Sequence, residues 1–167
     1  MKRLSLELGG KNPALVFKDA RLDQAVPTLI RGAFLNQGEI CLCTSRIYVQ
    51  EEIFEEFLTK FVESSKNLKV GDPNDPDMFM GALNSKQHLD KVVKYAKLAT
   101  EEGGTIHCGY GKTAMNFEAK LQNGYYFPPT VVTGLFSLLI FGISYLFTIS
   151  AVCLQFEQIV YNIRDLL

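Results

Sequence analysis

Between residues 121 and 156 the chain carries no Asp, Glu, Lys or Arg. Residues 135–156 ("LFSLLIFGISYLFTISAVCLQF") are long enough to cross a bilayer as a helix and show no helix-period polar face. Almost all the charge lies in the first 120 residues, mixed as on an ordinary soluble surface. This contrast predicts a division near Gly134: a folded segment over 1–134 and an apolar tail over 135–167. The tail reads either as a membrane-spanning helix or as sequence foreign to the domain it follows.

The remaining composition narrows the class. At 167 residues and 47% hydrophobic, the chain can bury one core. A net charge of −1 with no basic stripe excludes an electrostatic case for nucleic acid. Four cysteines, Cys41, Cys43, Cys108 and Cys153, do not resemble a secreted disulfide framework. The opening "MKRLSLELGG" lacks an apolar run of signal-peptide length, so a reducing, cytoplasmic setting is expected.

Along the chain, "LSLEL" (residues 4–8) alternates as a strand does, and "ALVF" (14–17) resumes an extended run after "GGKNP". Asp19 is a candidate N-cap for a helix with Leu22, Val26, Leu29, Ile30 and Ala33 at helical spacing, ending near Gln37–Gly38. Pro27 marks a kink or an early turn of that helix. "TSRIYVQ" (44–50) reads as a strand, followed by an amphipathic helix with Phe54, Phe57, Leu58, Phe61 and Val62 on one face. Asn84 or Ser85 caps a further helix whose stripe is Leu89, Val92, Val93 and Ala96, closed by Gly103–Gly104. "TIHCG" is a short strand, and "YYFPPTVV" an extended segment whose prolines suit an edge or a strand start. Alternating strands and helices predict an α/β domain with a largely parallel sheet and flanking helices.

Two residues stand out chemically. Cys41 lies in a helix-to-strand loop behind Gly38, whose relaxed backbone would let main-chain N–H groups face an oxyanion. A lone cysteine is more often a small buried hydrophobe. A metal clamp at Cys41 and Cys43 finds no ligand pair at suitable spacing: His88 reads as an exposed helix residue, and His107 and Cys108 as strand residues. No metal site is expected. Glu7 interrupts an apolar strand just before two glycines; facing a cavity, its carboxyl would be desolvated into a better general base. Alone, it reads better as the solvent face of a strand.

Taken together, "LELGGKNP" (6–13) and "FLNQGEIC" (34–41), separated by 34 residues from Glu7 to Cys41, resemble the glutamate and cysteine signatures of the aldehyde dehydrogenase superfamily. "SRIYVQ", the "VGDPNDPD…MGALNS" loop and "GYYFPPTVV" continue the likeness to about Thr133. The resemblance implies that residues 1–134 form a segment of that family's catalytic domain. It implies a Cys41 thiolate that attacks an aldehyde, hydride transfer to NAD, and a thioester hydrolysed by water that Glu7 activates. Leu8 and Gly9 would approach the nicotinamide, and Cys43 would be packing. A small-molecule aldehyde substrate and a homo-oligomer follow from the same likeness.

The family's upstream dinucleotide-binding half, with its phosphate turn and oxyanion asparagine, and its downstream Glu-x-Phe-Gly-Pro motif have no counterpart in this sequence. The isolated chain is therefore expected to lack turnover. Two other readings stand beside the enzyme: a non-catalytic truncated product that associates with full-length subunits, and a membrane-tethered remnant held through 135–156.

Overall fold

A computed structural model describes residues 2–6, 8, 10, 12–113, 115, 117 and 121–135 and, as backbone, 146–151. Its elements are β1 (Asn12–Val16), α1 (Leu22–Phe34), β2 (Thr44–Gln50), α2 (Phe54–Lys66), α3 (Lys86–Glu101), β3 (Thr105–Cys108), β4 (Val131–Thr133) and β5 (Leu146–Ala151). The strands form one sheet in the order β1-β2-β5-β4-β3. Strands β1 and β2, joined through α1, pair in parallel. The β2–β5, β5–β4 and β4–β3 ladders are antiparallel. The α/β class holds, with its parallel pair in β1/β2. The consecutive strands β3, β4 and β5 are neighbours in the sheet and alternate in direction, and β5 lies antiparallel to β2.

Helices cover both faces. Val131 of β4 packs with Phe34, Ile47, Phe57 and Phe61 in the cluster under α1 and α2. Its neighbour Val132 packs with Val92, Ala96 and Ala99 of α3 and with Phe127. Successive strand residues point to opposite faces, so this split sets α1 and α2 on one side and α3 on the other. The aromatic face read in α2 forms the centre of the larger cluster: Phe57 and Phe61 stack at 5.5 Å, and Phe34 lies 6.2 Å from Phe61.

Strand β5 comes from the charge-free tail and lies between β2 and β4. A strand at the middle of a sheet covered on both faces needs no charge, which gives the tail's composition a sheet rationale. Among the described residues no helix is long and apolar enough to cross a membrane. Residues 146–151 of the expected span are strand; 136–145 and 152–167 lie outside the described residues.

Three local expectations change. Residues 4–6 and 8 join no ladder, and their leucines stand exposed, because no strand lies beside them among the described residues. Helix α1 starts after Arg21 with no side-chain cap, so Asp19 belongs to the preceding turn. It also ends early, at Phe34, for a reason that shapes the candidate site. Ser85 caps α3 as expected, accepting from the His88 N–H at 3.2 Å.

Candidate functional site

Phe34 is buried against α2, and the chain must then turn sharply to reach β2. It does so through three successive left-handed residues: Asn36 (φ 51°), Gln37 (φ 57°) and Gly38 (φ 77°). Glycine takes this conformation freely and asparagine tolerates it. For glutamine it costs about 1–2 kcal/mol. Contacts hold the turn in place. Gln37 Nε2 donates to the Ala82 carbonyl at 3.1 Å, and the Glu39 N–H donates to Asn36 O at 2.9 Å. Strain of this kind persists where surrounding structure over-determines it, often at functional sites.

Cys41 follows, half-buried, in a turn closed by the Cys43 N–H donating to Ile40 O at 2.8 Å. The three residues of the turn differ sharply: Leu42 is 79% exposed, whereas Cys43 is 2% exposed. The Cys43 thiol donates to Leu35 O at 3.8 Å. Burial pushes that thiol above its ordinary value, opposed by a backbone hydrogen bond at Ile40 and reinforced by Cys41 beside it. Burial also raises Cys108, against the pull of a backbone hydrogen bond at Val131 and of Lys66. Both stay protonated at neutral pH, as packing residues would.

The glutamate motif meets this loop through Asn12. Its Nδ2 donates to Cys41 O at 2.7 Å and to Cys43 O at 3.3 Å. Asn12 opens β1 opposite Thr44 of β2, and the next pair is Pro13 with Arg46, so Ser45 is bulged out of register. Proline has no N–H to give the ladder, which makes this step a natural place for the bulge. Parallel pairing therefore sets the starts of β1 and β2, at Asn12 and Thr44, at the same end of the sheet. Glu7 and Gly9 lie outside the described residues; Leu8 is exposed.

A second tie runs to α3. His88 is half-buried, not exposed, with Nε2 3.6 Å from Glu39 Oε1. Burial raises the Glu39 carboxyl, and His88 opposes that shift. His107 behaves as a strand residue, its Nε2 2.7 Å from Thr133 Oγ1. Burial lowers its pKa, as do Lys112 and Lys66, while Glu55 opposes. Among the described residues no group of three His, Cys, Asp or Glu is disposed to hold a metal. Asn12 and His88 are the site residues that pattern reading misses. Asn12 had a local signal, an amide side chain immediately before a strand-opening proline; His88 had none beyond its helix.

The sequence profile of the aldehyde dehydrogenase family matches residues 1–137. The chain is 55% identical over 132 residues to 2-aminomuconic semialdehyde dehydrogenase of Homo sapiens, covering 79% of this chain and 27% of that protein. It is 42% identical to 2-aminomuconic 6-semialdehyde dehydrogenase of Pseudomonas sp, over 81% of this chain and 27% of the relative. Its fold superimposes on a crystal structure of betaine aldehyde dehydrogenase from Staphylococcus aureus in complex with NAD+, with a TM-score of 0.70 and 36% identity. That match covers 75% of this chain and 24% of the other. The chain thus spans about a quarter of the length of these relatives. With the family profile covering most of its length, this chain belongs to the aldehyde dehydrogenase family.

Proposed function

We propose that this chain carries the nucleophile and the base of an NAD-dependent oxidation of an aldehyde to a carboxylic acid, Cys41 being the nucleophile and Glu7 the base. The supporting observation is the Asn12 amide bonded to the carbonyls of Cys41 and Cys43, which joins the glutamate motif to the cysteine loop. The Cys41 thiolate adds to the aldehyde carbon, and its own backbone N–H donates to the oxygen on which charge develops. Leu8 and Gly9 would lie against the nicotinamide. The exposed Leu8 side chain offers an apolar surface suited to a flat ring, whereas the described residues contain no glycine-rich strand-to-helix turn for phosphates. Bound NAD would supply the hydride acceptor. Glu7 then takes a proton from water, hydroxide adds to the thioester carbon, and the Cys41 sulfur departs as the acid forms. A reduced Cys41 is needed throughout, which a cytoplasmic setting provides.

The substrate class proposed is a semialdehyde, from the likeness to the two 2-aminomuconic semialdehyde dehydrogenases. Turnover is assigned to the longer architecture of the relatives, so purified chain with NAD and an aldehyde panel should yield no NADH above a Cys41→Ser control. The site itself is tested by iodoacetamide at neutral pH. Cys41 should be alkylated faster than Cys43 and Cys108, and equal rates would count against the assignment.

One feature favours association as a second reading. Among the described residues strand β1 is the sheet edge next to β2; Leu15 within it is 55% exposed and Phe17, just after it, 53%. An apolar edge strand is a template for pairing with another chain, including a full-length subunit. Co-purification with a full-length relative, lost on Leu15→Lys, would support it; recovery of the chain as a free monomer would not.

A further inference from the structure

We propose that Asn12 is a positioning residue for the nucleophile, its amide fixing the direction in which the Cys41 loop presents its thiol and backbone N–H. This rests on Cys41 being the nucleophile. A short turn between a helix and a strand has several accessible shapes, and its carbonyls decide which one is populated. The two that flank Leu42, at Cys41 and Cys43, both accept from the single Asn12 Nδ2, at 2.7 and 3.3 Å. Two carbonyls drawn to one donor on one side of the turn leave the intervening Leu42 on the other, consistent with its exposure of 79%.

The amide is itself held in place. A Cβ on Gly10 would stand 3.0 Å from Asn12 Oδ1, so a glycine there leaves room for this side-chain orientation. The bulge at Ser45 and the missing N–H of Pro13 place Asn12 at the open end of the parallel pair, facing the loop rather than extending the ladder. On the far flank the buried Cys43 thiol donates to Leu35 O, so the turn is pinned from both sides. Asn12 touches no reacting atom in this scheme; it acts through the loop.

The test varies donor chemistry at position 12 in the full chain. Asn12→Asp keeps the outline but cannot donate when ionised; Asn12→Gln keeps the donor amide; Asn12→Ala removes the donor without adding charge. The readout is the ratio of Cys41 to Cys43 alkylation by iodoacetamide, resolved by mass spectrometry, with the buried Cys108 reporting whether the fold survives. Wild type and the Gln variant should share a high ratio. The Asp and Ala variants should lose at least about fivefold, the weight of one hydrogen bond. If the Asp variant exposes Cys108, the ratio is read from the Ala variant. Wild-type ratios in the donor-less variants would overturn the proposal, as would a Gln variant as poor as Asp, since that would make shape rather than donation decisive. A wild type with no preference for Cys41 would overturn both this proposal and the nucleophile assignment.

Discussion

Glu39 Oε1 lies 3.6 Å from His88 Nε2, so the loop that carries Cys41 is tied to the first turn of α3. Burial dominates the Glu39 carboxyl and raises it, with His88 opposing. A carboxyl whose folded pKa exceeds its unfolded one adds stability that is full below the unfolded value and is lost as pH rises through the folded value. Glu39→Gln, neutral throughout, should therefore gain on wild type as pH rises above about 4.5 and level off once Glu39 is fully ionised. The gain should stay below about 1 kcal/mol, because both partners are partly solvated. Urea midpoints at pH 4 to 8 check this, and a pH-independent difference would contradict it.

Phe61 is fully buried, stacked on Phe57 and close to Phe34 at the end of α1. Phe61→Ala should cost about 3–5 kcal/mol by leaving a cavity where α1 and α2 meet the sheet. Chemical denaturation should record that loss. Because Phe34 immediately precedes the left-handed turn, Cys43 should also become more accessible to alkylation in the variant.

A chain ending at Gly134 removes β5 and leaves β2 and β4 without the strand that joins them. Both would become open edges, and the sheet would fall into a β1/β2 pair and a β3/β4 pair. Truncation should abolish cooperative unfolding and promote aggregation, read by circular dichroism and light scattering. A soluble, cooperatively folded 1–134 product would contradict the part given to β5.

Much of this architecture was legible in the residues. The stripe through Phe57, Leu58 and Phe61 announced α2, Ser85 announced the cap of α3, and "TSRIYVQ" coincides with β2, because burial and capping are local properties of sequence. The tail was harder. A central strand and a membrane helix are both apolar and charge-free, and only the hydrogen-bond partners of β5 distinguish them. Residues 4–8 alternate like a strand, but alternation does not supply a neighbour to pair with. Cys41 is proposed from its motif, whereas the ties of Asn12 and His88 run to contacts 29 and 49 positions away, at Cys41 and Glu39 respectively. No local pattern encodes such distances.

The proposed roles of nucleophile and base require Glu7 and Cys41 to open onto one space. A direct measurement is a cross-link across that space, in a chain carrying Glu7→Cys with Cys43, Cys108 and Cys153 replaced by serine. A thiol-reactive bridge of about 6 Å, the span of one water hydrogen-bonded on both sides, would be offered at low protein concentration. Convergence predicts one intramolecular bridge between positions 7 and 41 by mass spectrometry. Two separate single-ended adducts, with no bridged species, would place the two groups apart and contradict the assignment of nucleophile and base.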